Sequence, residues 1–189
     1  MEYGRYPDDD LVSRFREGDV SAYEAILDRY SQPIYNFTLR VLGERADAED
    51  AAQQTFIQAY SSLPSAKAEM QLRPWLYQVA RNKCIDMLRR RRTVPLSSLE
   101  REDHDLGDIE PVDGRPLPPE IYEQAELQDL LQEAIADLPL RAREVVVMRY
   151  VNDLTFAEIG TALGLPENTA KTLFQRAKLR LRAFLSSRM

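Results

Sequence analysis

The stretch TFAEIGTALGLPENTAKTLFQRAK, residues 155–178, decides how the chain is read. Phe156, Ile159 and Leu163 recur at helical steps, which predicts a short first helix with one apolar face. Gly164 follows, and glycine takes left-handed backbone without a steric penalty, so the helix is expected to stop and turn there. Leu165 can fill the angle of that turn, and Glu167 or Asn168 can cap a second helix. This is the spacing of a helix-turn-helix. In such a unit the second helix enters the major groove with its N-terminal residues against base edges. Here those residues are Thr169, Lys171, Thr172, Gln175 and Arg176. Lys and Arg can donate to guanine, and Gln suits adenine. Lys178, Arg180 and Arg182 stand farther along, placed for phosphates. A helical hairpin with a merely solvated basic face remains the other reading, and the motif alone says duplex-DNA binding and no more.

Working outward, the C-terminal flank predicts four helices, about 122–137, 141–151, 155–163 and 167–187, broken at Leu138-Pro139, Asn152-Asp153 and Gly164-Leu165-Pro166. The N-terminal flank is also helical in period, with no alternating strand pattern. Leu11 and Phe15, then Ala22, Ile26, Leu27 and Tyr30, mark its first helices, and Pro33 is expected to kink or interrupt before Ile34, Phe37 and Val41. Gly43 fits a helix end and Asp47 the cap of the next helix, about 48–61, with Ala52, Phe56 and Ala59 inward. Residues 63–71 read as a loop before a helix over about 73–91.

That last helix, LRPWLYQVARNKCIDMLRRRR at residues 72–92, begins with aromatics and ends in four arginines. Aromatic rings stack on unpaired bases while cations hold the backbone, which makes Trp75, Tyr77 and the arginine run a candidate single-strand surface. Asn82 offers both a donor and an acceptor to an extruded base edge. The alternative is that Trp75 and Tyr77 are core and the arginines a solvated cap favoured by the helix dipole. Trp75 alone reads better as core, and the arginine run as nucleic-acid contact. Cys84, inside this helix, reads as core. A third segment, AEDAAQQTFIQAY at residues 48–60, has one apolar face and presents Glu49, Asp50, Gln53 and Gln54 on the other. By itself that face reads as solvent surface.

The bulk numbers agree with a DNA partner only after division. The chain has 189 residues, 44% of them hydrophobic, and a net charge of −6. Residues 1–92 balance 14 acids with 14 bases, and residues 121–189 balance 9 with 9. Residues 93–120 hold 8 acids and 2 bases, so the middle carries the whole −6. Each flank ends in a basic cluster: six bases against Asp86 from Arg81 to Arg92, and six with no acid from Lys171 to Arg188. Two basic footprints joined by an acidic strip suggest contact with a polyanion at two points. The strip is rich in proline and poor in large apolar residues, which makes it a linker. Its ~27 residues span ~30 Å relaxed and roughly 90 Å extended. No apolar run is long enough for a transmembrane helix, and the N-terminus lacks the apolar stretch of a secretory signal. One cysteine excludes an intramolecular disulfide, and no Cys/His cluster spells a metal site. A cytoplasmic protein without metal or cofactor is expected.

In order, these segments resemble one family: the acidic-amide helix, then WLYQVARNKCIDMLRR, a linker, and ADLPLRAREVVVMRYVNDLTFAEIGTALGLPENTAKT. The chain resembles the extracytoplasmic-function sigma factors of the sigma-70 family from about Asp8 to Phe184, and the pairing of the motifs is more specific than either half. The resemblance implies an all-α fold of two small helical domains joined by a flexible acidic linker: a sigma-2 helical bundle over 1–92 and a sigma-4 helix-turn-helix domain over 121–189. It implies a promoter-recognition subunit, not an enzyme, which acts with core RNA polymerase. Sigma-2 would dock on the clamp of the largest subunit through Asp50, Gln53, Gln54 and Phe56, which reverses the solvent reading of that face. Sigma-2 would also melt the −10 element and hold a flipped base, with Asn82 and the loop before Trp75. The residues implied there are Lys67, Arg73, Trp75, Tyr77, Arg81, Asn82, Arg89, Arg90, Arg91 and Arg92. Sigma-4 would read the −35 element through Thr169, Lys171, Thr172, Gln175, Arg176 and Lys178, and meet the polymerase flap. An anti-sigma factor is the implied regulator, and signal-responsive transcription the implied role. Departures from the family pattern fall at Gln53-Gln54, where Gln-Glu is common, in the loop from Ser65, which lacks a Phe-Arg-Gly-type start, at Glu167-Asn168, where Val-Gly is common, and at Leu173, where Arg is frequent. They bear on promoter sequence, not class.

Two other readings make different demands. A stand-alone helix-turn-helix regulator needs a dimer interface, and the first 92 residues offer neither a ligand pocket nor a heptad zipper. An enzyme on nucleic acid needs a metal or acid–base cluster, and His104 stands alone in the linker.

Overall fold

The structure is a computed structural model and describes residues 2–67, 69–93 and 130–188. The linker expected over 93–120 lies outside the described residues except for Thr93, as does the first part of the helix expected from 122. All regular structure among the described residues is helical.

The N-terminal unit is built from α1 (Asp8–Arg16), α2 (Val20–Leu42), α3 (Arg45–Ser62) and α4 (Leu72–Thr93), with a short 3-10 helix at Glu2–Arg5. Asp8, Asp9 and Asp10 fill the first turn of α1, where the helix dipole favours acids. Asp19 caps α2 by accepting from the Ser21 N–H, and Gly43 ends it at φ 76°. Pro33 lies inside α2, and the helix continues on both sides of it, so of the kink or interruption expected there the interruption does not occur. Proline removes one backbone donor, but Tyr30, Ile34 and Phe37 on the same face are buried, and that packing holds the helix on both sides. The cap of α3 is Glu44, not Asp47: its carboxylate accepts from the Ala46 and Asp47 N–H groups at 2.9 Å each, so the helix begins three residues earlier than expected. Those bonds hold the Glu44 carboxyl below its ordinary range.

The buried face of α3 is small: Ala48, Ala51, Ala52, Thr55 and Ala59. Small side chains let α2 and α4 pack closely on it. Leu11, Ile26, Ile34, Phe37, Leu63, Leu72 and Leu76 are fully buried at the centre. The segment between α3 and α4, expected as loop, starts with a 3-10 turn at Leu63–Ser65. Arg16 pins it from α1, donating to the carbonyls of Leu63, Ala66 and Lys67 at 3.2, 2.7 and 3.2 Å.

The C-terminal unit comprises α5 (described over 130–136), α6 (Leu140–Tyr150), α7 (Phe156–Leu163) and α8 (Glu167–Ser186). Val145, Val147, Met148, Leu154, Ile159 and Ala170 form its core. A capping box starts α7: the Thr155 hydroxyl accepts from the Glu158 N–H, and the Glu158 carboxylate accepts from the Thr155 N–H. Gly164 ends α7 at φ 64°, as the sequence implies. Neither Glu167 nor Asn168 caps α8. Pro166 occupies that position without a side-chain bond, while Glu167 pairs with Lys171 at 2.6 Å one turn along.

Candidate nucleic-acid interface

The turn between α7 and α8 is set by one close approach. The Leu165 N–H donates to the Gly160 carbonyl at 2.8 Å, and the Gly160 Cα faces the Leu165 carbonyl so closely that a Cβ there would lie 2.7 Å from its oxygen. Only glycine fits. Leu165 is half-buried and packs against the core, as its place in the angle predicts.

Helix α8 is then divided lengthwise. Ala170, Phe174, Ala177 and Leu181 are buried, whereas Thr169, Lys171, Thr172, Gln175 and Arg176 are all exposed, and Lys178 is half-buried. The Thr172 hydroxyl is bonded to the Asn168 carbonyl at 2.9 Å, and Lys171 is held by Glu167. Gln175 and Arg176 stand outward one turn farther. These exposed side chains belong to the first three turns of a helix whose opposite face is fixed in the core, the geometry a groove-reading helix needs.

The second face lies on α4. Its apolar side carries Leu76, Val79, Ala80 and Cys84, all buried; burial raises the Cys84 thiol pKa. Asn82 is exposed, as are Lys67, Arg90 and Arg91. Arg91 pairs with Glu44 at 3.4 Å and with Asp47. Trp75 is half-buried against the core. Tyr77 corrects the expectation that it stacks on bases: it is 1% exposed, edge-on to Phe37 at 5.4 Å, and burial pushes its phenol up. It lies on the side of α4 turned toward α2, so the core alternative describes it. Arg73 and Arg81 are held by acids of the C-terminal unit: Arg81 Nε lies 3.0 Å from Glu144 Oε1, and Arg73 Nη1 lies 3.6 Å from Glu158 Oε1. Glu144 is fully buried, and burial holds its carboxyl above the usual range against the pull of Arg81.

The third face lies on α3, where Asp50, Gln53 and Gln54 are exposed and Phe56 is half-buried, its carbonyl accepting from the Tyr23 hydroxyl at 2.6 Å. Ile57, 63% exposed, extends the stripe 50–53–54–57 at three- and four-residue steps. The sequence reading passed over Ile57, although its spacing was the available signal.

Comparison with known proteins gives these faces their context. Residues 26–94 match the family model for sigma-70 region 2, and residues 128–181 match the model for sigma-70 region 4. The ECF RNA polymerase sigma factor SigW of Bacillus subtilis is 33% identical over 175 residues, which cover 90% of this chain and 92% of SigW. The chain belongs to the ECF sigma factors. It is a transcription initiation factor of the sigma-70 family that directs core RNA polymerase to promoters. Two solved structures share its fold. CnrH in complex with the cytosolic domain of CnrY superposes with a TM-score of 0.72 at 20% identity, covering 95% of this chain and 97% of that one. The sigma factor RpoE in complex with the anti-sigma factor NepR from Bartonella quintana superposes at 0.66 and 23% identity, covering 87% and 96%. The region 2 match runs from within α2 through α4, and the region 4 match spans α5, α6, α7 and most of α8. Among the described residues of this sigma factor no group of His, Cys, Asp and Glu could hold a metal, and no helix is long and apolar enough to cross a membrane.

Proposed function

We propose that the two units of this ECF sigma factor divide promoter recognition by strand state. The observation that carries the reading is the lengthwise division of α8, whose buried Ala170–Phe174–Ala177 stripe fixes Gln175 and Arg176 outward on the opposite side. Sigma-4 takes the −35 element as duplex: Gln175 and Arg176 read base edges, Thr169, Lys171 and Thr172 set the helix in the groove, and Lys178 holds phosphate. Sigma-2 takes the −10 element as a melted strand. Asn82 meets an extruded base, Trp75 borders it, and Lys67, Arg73, Arg81 and the arginines from Arg89 to Arg92 hold the backbone. The stripe Asp50–Gln53–Gln54–Ile57, with Phe56 beneath it, meets the polymerase clamp. An anti-sigma factor covers these faces until a signal releases the chain into the cytoplasm, and the chain itself carries out no catalysis.

The test separates the two strand states. Asn82→Ala should weaken promoter opening while leaving duplex binding by the holoenzyme intact, and equal loss in both would contradict base capture. Arg176→Ala should change −35 selectivity, and an unchanged preference over a randomised −35 library would refute that assignment.

A further inference from the structure

The segment between α3 and α4 is anchored in the core at both ends, by Leu63 and Leu72. Two local turns lie between, closed by the Ala66 N–H on the Leu63 carbonyl and the Met70 N–H on the Lys67 carbonyl, at 3.2 Å each. Arg16, in the last turn of α1, reaches the segment from 47 positions away. Its Nε and Nη2 donate to the carbonyls of Leu63, Ala66 and Lys67, and the first and last of these are the acceptors that close the two turns. One guanidinium thus couples both turns to a helix far away in sequence.

Carbonyl oxygens turned toward one point repel one another. A cation at that point reverses the sign, and a charged donor makes the stronger hydrogen bond. The guanidinium is also a rigid planar fork, so it fixes directions as well as charge, whereas a lysine ammonium is a point charge on a flexible stem. Arg16 therefore sets the shape of the backbone from which the exposed Lys67 projects. Its Nε and Nη2 are committed to protein carbonyls rather than to a strand.

We propose that Arg16 is a positioning residue for −10 recognition: it holds the α3–α4 segment in the one shape that fits the extruded base, so discrimination at that base depends on a residue of α1 that touches no DNA. This rests on the reading that the segment before Trp75, with Asn82, takes the extruded base. A site discriminates when its walls are held to within about 0.5 Å, because a loose wall adapts to the wrong base as readily as to the right one.

The test uses holoenzyme reconstituted from core polymerase and the full chain, on a promoter library randomised across the −10 element, below the melting transition of every variant. Arg16→Lys and Arg16→Ala should each lower the preference for the best over the worst base at the extruded position by about tenfold, the size of one lost base discrimination. The salt dependence of promoter binding should keep its slope in both, because no phosphate contact is removed. Thr38→Val deletes a buried hydroxyl bond from α2 to the Ala48 carbonyl at 2.9 Å, so it lowers stability away from the segment and should keep the full preference. Full preference in Arg16→Lys would show that charge alone suffices, and equal loss in Thr38→Val would show that stability alone is read. A salt slope reduced by about one would make Arg16 a phosphate ligand. Each of these overturns the proposal. Asn82→Ala in the same library separates the two readings. If it relaxes the base preference while the Arg16 variants do not, the positioning role falls and the −10 reading stands; if none of them relaxes it, both fall.

Discussion

Replacing Gly160 with alanine sets two known effects against each other. In an open helix interior the change gains about 1 kcal/mol from backbone propensity. Here the new Cβ would lie 2.7 Å from the Leu165 carbonyl oxygen, a main-chain atom that cannot swing aside. Overpacking of this kind costs about 1–3 kcal/mol, and contact with backbone belongs at the upper end. The net expectation is a loss of about 1–2 kcal/mol, or roughly 4–8 °C per kcal/mol for a unit of this size. The shift must also open the α7–α8 angle, because the Leu165 N–H is bonded back to Gly160. Duplex binding at a −35 element should therefore weaken beyond the stability loss at temperatures where the protein is still folded. Gly164 is the control: nothing lies within 4 Å of its Cβ position, and its demand is the positive φ alone. Asparagine, which tolerates that region, should be accepted at Gly164 and rejected at Gly160. Thermal denaturation by circular dichroism and duplex binding by anisotropy check both. A Gly160→Ala chain that melts higher than the parent, with unchanged duplex affinity, would refute the close-approach argument.

Three further outcomes follow from the geometry. Arg16→Ala removes three bonds to the α3–α4 segment and should cost about 1–2 kcal/mol, read by urea denaturation, together with −10 selectivity in the holoenzyme. Glu44→Ala removes the α3 cap, at about 1 kcal/mol for an exposed capping group. Because the native Glu44 pKa is lowered from 4.5, that contribution is complete above the ordinary value and fades as pH falls through the lowered one, so parent and variant stabilities should converge in acid. Cys84, buried and with its thiol pKa raised by burial, should resist alkylation at pH 8 in the native chain and react only at the rate of unfolding. Fast labelling of the folded protein would contradict its placement.

What the sequence made legible was local. The stop at Gly164 and the periodicity of α4 depend on residues a few positions apart, and these helices end within a residue or two of where those signals place them; the capping box of Thr155 and Glu158, just as local, was passed over. Glu44 was missed because Asp47 is the better capping residue by type, while Gly43 sets where the chain re-enters a helix. Pro33 was read as a kink or a break because propensity counts its missing donor, and the break does not occur because buried neighbours hold α2 through it. The contact between the two units, in which Arg81 meets Glu144 and the Asn152 amide meets the Pro33 carbonyl, was invisible for a different reason. Arg81 and Glu144 are 63 positions apart, and Asn152 and Pro33 are 119 apart. Nothing in the spacing of ADLPLRAREVVVMRY distinguishes a buried Glu144 from a solvated one on the same helix. Tyr77 shows the same limit: an aromatic beside an arginine run fits a base-stacking surface and a core equally well until α2 is placed beside it.

The central claim is that this chain confers promoter specificity on core polymerase through two separate DNA faces. In vitro transcription on a fragmented genomic template pool with 5′-end mapping tests it directly, with bacterial core enzyme in the presence and absence of the protein. The account predicts protein-dependent start sites that share two upstream elements, with Arg176→Ala altering the outer one and Asn82→Ala suppressing opening at the inner one. Absence of protein-dependent starts, together with tight duplex binding by the chain alone, would contradict it.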